Sequence, residues 1–132
     1  MIGIDTNILL RAVLRDDSKQ SPIAIAFLSR LNGEEPGFVN DVTLAEFVWT
    51  LGRSADFERS EIAWALRAML SSPCYRFLDR TILSKALTRY ETSQLDFADA
   101  LIGEINRAAG CSTTFTFDGG AAKTDLFKSL TT

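Results

Sequence analysis

Alternating strand and helix patterns predict an α/β protein, with a central parallel sheet of four or five strands and helices on both faces. Three observations carry this. Short β-branched or aromatic runs recur at 1–5, 37–39, 75–78, 112–117 and 126–130. Segments with apolar residues at helical spacing lie between them. Turn and cap residues (Ser21-Pro22, Asn32-Gly33, Pro73, Gly110) fall at the joins.

The elements follow in order. Residues 1–5 form an opening strand, and 6–14 have apolar positions 8, 9, 10, 13 and 14, a helical rhythm. Ser21 reads as an N-cap with Pro22 at the first helical position, and Asn32-Gly33 as the stop. After a strand at 37–39, Asp41 caps a helix over about 42–51, with Leu44, Phe47, Val48 and Leu51 as its core stripe. Ser60 caps the next, to about 70, with Ile62, Ala65, Leu66, Met69 and Leu70 inward. A strand at 75–78 precedes a helix over about 82–90. Asp96 caps a helix ending near 109, and strands at 112–117 and 126–130 complete the pattern.

At 132 residues the chain has the length of one domain, 1–132. With 46% hydrophobic and 23% charged residues it matches soluble globular proteins. No uncharged run reaches the length of a spanning helix, so no membrane partner is expected. The net charge of −3 argues against coating nucleic acid by bulk charge. Histidine is absent, which excludes Ser-His-Asp and Cys-His catalysis and HExxH zinc sites. Cys74 and Cys111 are too few for a disulfide framework and read as free thiols of a reducing cytoplasm. Hydrolytic chemistry is thus left to carboxylates, hydroxyls, Lys/Arg or an oxygen-bound metal.

Parallel sheets bind ligands beyond the carboxyl ends of their strands. Asp5 and Asp118 end strands, Asp96 and Asp99 open a helix, and Glu46 interrupts an apolar segment. Each has an ordinary reading: Asp5 and Asp96 as caps, Asp99 as a dipole partner, Asp118 before Gly119-Gly120 as a turn, Glu46 as solvated surface about 150° from its helix's core stripe at 100° per residue. Jointly the ordinary readings weaken. Two carboxylates about 4 Å apart repel by about 4 kcal/mol at an effective dielectric of 20. Clustered acids therefore call for a divalent cation, and hard oxygen ligands without His or Cys suit Mg²⁺ or Mn²⁺.

Taken together, Ile4-Asp5-Thr6-Asn7, the run Leu-Ala-Glu-Phe-Val-Trp around Glu46, Asp96-Phe97-Ala98-Asp99-Ala100-Leu101-Ile102 and Thr116-Phe117-Asp118 resemble the PIN-domain ribonucleases. In size the chain is most similar to the VapC toxins of bacterial toxin–antitoxin pairs. The resemblance implies a PIN-like three-layer fold and an acidic quartet of Asp5, Glu46, Asp99 and Asp118, catalytic and metal-holding. Asp96 is then an auxiliary acid or helix cap, Thr6 and Asn7 sit beside the metal, and Thr116 orients Asp118. Gly119-Gly120-Ala121 departs from the bulkier, basic stretch such proteins often carry there.

Setting Asp5, Glu46, Asp96, Asp99 and Asp118 aside leaves 12 acids against 14 basic residues, which removes the charge objection to RNA. Arg11, Arg15 and Lys19 form one stripe if the first helix extends that far, placing Arg11 and Arg15 to hold phosphates. The reading is a cytoplasmic Mg²⁺- or Mn²⁺-dependent endoribonuclease that uses activated water. Trp49 and Trp64 lie off their core stripes, as interface anchors would, and the resemblance implies two interfaces, a homodimer and a cognate antitoxin. Two rivals stand beside it. One is a Mg²⁺-dependent phosphatase forming an aspartyl-phosphate at Asp5, although Asn7 stands where such enzymes carry a second Asp. The other is a PIN-like module that binds without cutting.

Overall fold

The computed structural model describes residues 1–130. They form a mixed α/β protein with six α-helices and five short strands, paired in parallel as the patterning predicts, but in a three-stranded and a two-stranded sheet where a single sheet of four or five is expected. Two compact units are present, one from Met1 to Arg80 and one from Thr81 on.

The first unit contains β1 (Ile2–Gly3), α1 (Thr6–Leu14), α2 (Gln20–Ser29), β2 (Gly37–Val39), α3 (Asp41–Arg53), α4 (Arg59–Ser71) and β3 (Tyr75–Phe77). Its strands pair in the order β1-β2-β3, with Gly3 opposite Phe38 and Val39 opposite Phe77. All three therefore point their carboxyl ends to one edge, where Asp5, Asp41 and Asp79 follow. The core is the expected one: Leu44, Phe47, Val48 and Leu51 from α3 are buried, as are Ile62, Leu66 and Leu70 from α4. Each such side chain contributes about 1.5–3 kcal/mol of burial. On α4, Ala63 is buried while Ala65 and Met69 are only half-buried, so the inward stripe is rotated slightly from the expected one. Gly37 is required where it stands, since a Cβ there would lie 2.9 Å from both Ile4 and Leu31 side chains.

Several caps differ from expectation. α3 is capped by Asn40, whose side chain accepts the Thr43 amide at 2.9 Å, and Asp41 is already helical. α4 starts after Glu58, not Ser60, with the Glu61 carboxylate accepting the Glu58 amide at 2.9 Å. Ser21 lies inside α2; the amides at that helix's start go to the Asp17 carboxylate, from Lys19 at 2.9 Å and Gln20 at 2.7 Å. α2 ends at Ser29, and Asn32 instead closes a turn by accepting the Glu34 and Glu35 amides. At each of the three helix starts an open amide is met by a side-chain oxygen other than the one expected.

The second unit contains α5 (Arg80–Thr92, from Thr81 on), α6 (Phe97–Ala108), β4 (Thr114–Thr116), a 3-10 helix (Ala121–Lys123) and β5 (Phe127–Ser129). β4 and β5 pair in parallel, Thr114 opposite Phe127. Leu83, Leu87, Tyr90, Phe97, Leu101 and Phe127 are buried, with the Tyr90 and Phe97 rings edge to face. Gly103 lets α6 approach the sheet: a Cβ there would meet Leu126 at 2.7 Å and Phe127 at 3.1 Å. Glu104 on α6 is buried and paired with Arg89 of α5, which also grips Asp125. Gly110, just past α6, has the positive φ of 102° that a helix stop favours. Cys74 and Cys111 are free thiols. No helix among the described residues is long and apolar enough to cross a membrane.

Candidate active site

Asp5 follows β1 and occupies the N-cap position of α1 in extended conformation, yet its carboxylate makes no capping hydrogen bond. It projects into solvent instead of being consumed by the helix. Thr6, the next residue, is buried, and its hydroxyl donates to Glu46 Oε1 at 2.9 Å across forty residues. Glu46 faces away from the core of α3, as its phase predicts, but it is not plain surface: Thr6 holds it beside the end of β1. Asn7 is exposed on the first turn of α1.

In the second unit Asp96 repeats the arrangement of Asp5. It is the N-cap of α6, and its side chain caps nothing. Asp99 lies on the first turn of the same helix. Asp118 follows β4, where the Thr116 hydroxyl accepts its amide at 3.0 Å, a contact with the Asp118 backbone and not with its carboxylate. One Asp118 oxygen, Oδ1, accepts the Gly120 and Ala121 amides at 2.8 and 3.2 Å. The turn reading of Asp118 is thus correct for that oxygen. Asp96, Asp99, Asp118 and Lys123 line one cavity of about 460 Å³. Burial, and then the charges of Asp96 and Asp118, push the Asp99 carboxyl above the ordinary carboxylate range. The donor chemistry of these three acids, oxygen only, is the kind a hard divalent cation takes. Within neither unit do three acidic or cysteine side chains already stand at metal-ligand spacing among the described residues.

The basic stripe is not formed. α1 ends at Leu14, and Arg15 turns the chain with a left-handed φ of 52°, so Arg11, Arg15 and Lys19 do not share a helix face. Arg11 bonds to Asp16 at 3.1 Å and Gln20 at 3.0 Å. Three residues escaped the sequence reading of the site. Asp41, read as a cap, lies past β2 with its carboxyl raised by burial and by Asp79; the strand-end rule that selected Asp5 applies to both. Lys123 joins the acid cavity through the 3-10 helix, which has no signature in the sequence.

A family model, PIN domain, matches residues 2–126. The chain belongs to the PIN-domain family. No curated protein matches it. PIN domains are in general metal-dependent nucleases acting on RNA, so this PIN domain is of the hydrolase class. The match takes in Asp5, Glu46, Asp96, Asp99 and Asp118.

Proposed function

We propose that this PIN domain, treated as one domain over 1–132, is an endoribonuclease dependent on Mg²⁺ or Mn²⁺ and the toxin of a VapC-type toxin–antitoxin pair. The observation that carries the reading is the cavity that Asp96, Asp99 and Asp118 line together, where burial first and then the charges of Asp96 and Asp118 raise the Asp99 carboxyl. Mutual repulsion of that kind is relieved by a cation. Asp5, Asp99 and Asp118 are the ligands in this reading, with Glu46 direct or through water and Asp96 auxiliary. When bound, the cation supplies an activated water and neutralises charge on the departing oxygen.

The chain's own residues position the rest. Thr6 fixes the Glu46 carboxylate, with Asn7 beside it, and Thr116 fixes the backbone of Asp118. Arg11 and Arg15 hold phosphates as two separate groups at the end of α1. No side chain becomes a covalent nucleophile, and the absence of His leaves no imidazole to activate an RNA 2′-hydroxyl. Trp49 and Trp64, 61% and 76% exposed, are the anchors for a homodimer and a cognate antitoxin in the cytoplasm. An antitoxin Arg would pair with the acids and block the site.

Incubation with total RNA in Mg²⁺, Mn²⁺ or EDTA tests this. Cleavage in the metals alone, leaving 5′-phosphate and 3′-hydroxyl ends, is the expected result. A 2′,3′-cyclic phosphate would overturn the mechanism. Turnover of small phosphomonoesters without RNA cleavage would favour the phosphatase, and metal-independent RNA binding without cleavage the binding module.

A further inference from the structure

β4 presents two large aromatic side chains to water. Phe115 is 60% exposed and Phe117, just beyond the strand, 84%. The register explains it. Thr114 pairs with the buried Phe127, on the face that α6 covers through Gly103. Strand alternation sends Phe115 and Phe117 to the opposite face. Phe115 there stands opposite Lys128, which is also exposed. Leu130, 51% exposed, continues the row with its amide on the Thr116 carbonyl at 2.9 Å.

Parallel strands are ordinarily covered on both faces, so two neighbouring exposed phenylalanines need an occupant. The chemistry selects among occupants. Cores of protein interfaces are depleted of Lys, whereas aromatic rings interleaved with a cation are what single-stranded nucleic acid uses, the rings stacking on bases and the cation meeting phosphate. Asp118 is the residue after Phe117, so the end of the row and the acid are chain neighbours where the strand ends.

We propose that Phe115, Phe117 and Lys128 form a platform that stacks bases of single-stranded RNA next to Asp118 and feeds the strand toward the acids. This rests on the nuclease reading and adds to it a subsite outside the acidic set.

The test is anisotropy of a fluorescein-labelled single-stranded 12-mer RNA in EDTA, where cleavage is off. Phe115→Ala and Phe117→Ala should each weaken binding about tenfold, the scale of one lost stack. Phe117→Tyr, which keeps the ring, should bind as the wild type does, and Phe117→Leu, which keeps only apolar area, should bind as Ala does. Lys128→Ala should lower the slope of log affinity against log salt by about 0.7. Unchanged thermal melts confirm folded variants, as the exposure of these side chains leads one to expect. Retained binding in the Ala variants, or Leu matching Phe, overturns the proposal. So does dissociation of a dimer by Phe117→Ala at unchanged RNA affinity, which assigns the face to a second copy. The two readings fail separately. Ring-dependent binding without cleavage in Mg²⁺ sinks the nuclease and keeps the platform; cleavage with ring-independent binding does the reverse.

Discussion

The Thr6 hydroxyl donates to Glu46 Oε1 at 2.9 Å, joining the first residue of α1 to the outer face of α3. Thr6 is 7% exposed, so the bond orders a carboxylate from a sheltered position. Thr6→Val keeps shape and removes the donor. It should cost about 1 kcal/mol of stability and reduce RNA cleavage at least tenfold, on the order of one charge-assisted hydrogen bond. Thr6→Ser should retain most activity. Cleavage rates beside thermal melts decide this; full activity in the Val variant would reduce the bond to a packing detail.

Asp99 provides a test by pH. Its carboxyl is raised by burial first and by Asp96 and Asp118 after it. A raised folded-state value means that the folded form holds its proton longer than the unfolded form. Stability is then present below the unfolded value, about 3.9, and is lost as pH rises through the folded one. Asp99→Asn removes that loss. In EDTA at pH 7 the variant should be as stable as the wild type or more so, by up to about 2 kcal/mol before screening in an open cavity reduces it, and the two should converge below about pH 4. The variant should not cleave RNA, and Mg²⁺ should raise its melting temperature less than the wild type's. A strongly destabilised variant in EDTA would mark Asp99 as a structural helix residue.

Arg89 separates buried from exposed electrostatics on one side chain. It meets Glu104, 4% exposed, at 2.5 Å and Asp125, largely in solvent, at 2.6 Å. Arg89→Met strands a buried carboxylate and should cost about 3–5 kcal/mol in urea unfolding, much of it recovered in Arg89→Met/Glu104→Met. Asp125→Asn should cost under about 1 kcal/mol, because water screens that pair. Arg89, and Arg107 after it, hold the Asp125 carboxyl far below its usual range. Its contribution is therefore present above about pH 4 and fades as pH falls toward the folded value, so Asp125→Asn should flatten the acid limb of the stability profile. Equal losses for the two single variants would contradict the burial argument.

Gly103→Ala should destabilise by about 1–3 kcal/mol, since the added Cβ lands 2.7 Å from Leu126 Cδ1 and 2.9 Å from Leu126 Cβ. Leu126 is 2% exposed and hemmed in. Gly103→Ala combined with Leu126→Ala should lose less than the sum of the two changes, measured by urea unfolding. Strict additivity would show that the close approach carries no strain.

Trp49 and Trp64 should report assembly. Both are exposed in the single chain, and Trp49 carries the Arg53 guanidinium 5.8 Å from its ring centre. Homodimer formation should shift tryptophan emission to the blue as concentration rises and protect at least one ring from iodide. Emission independent of concentration, with both rings fully quenched, would exclude them from a self-interface.

Local pattern alone determined a good deal of this protein. The helix over 6–14 and the strand over 37–39 match α1 and β2 residue for residue, because apolar periodicity and the Gly and Asp at their ends agree. The stripe of α3 and the outward turn of Glu46, Trp49 and Trp64 follow from helical phase. The acids at strand and helix ends were legible for the same reason, and the family match covers them. Tertiary structure decided what those residues are joined to. Asn40, Glu58 and Asp17 serve the helix starts where Asp41, Ser60 and Ser21 are expected because polar side chains able to meet open amides lie within four positions of one another there, and local pattern does not choose among them. Arg15 ended α1 before its basic stripe could form. The partners of Thr6 and Glu104 lie 40 and 15 residues away, beyond the reach of local pattern. The face of β4 was also undecided in advance: Thr and Phe alternate there, either suits a strand, and α6 chose the threonines' face by packing Gly103 against Leu126 and Phe127, which left the two rings in water.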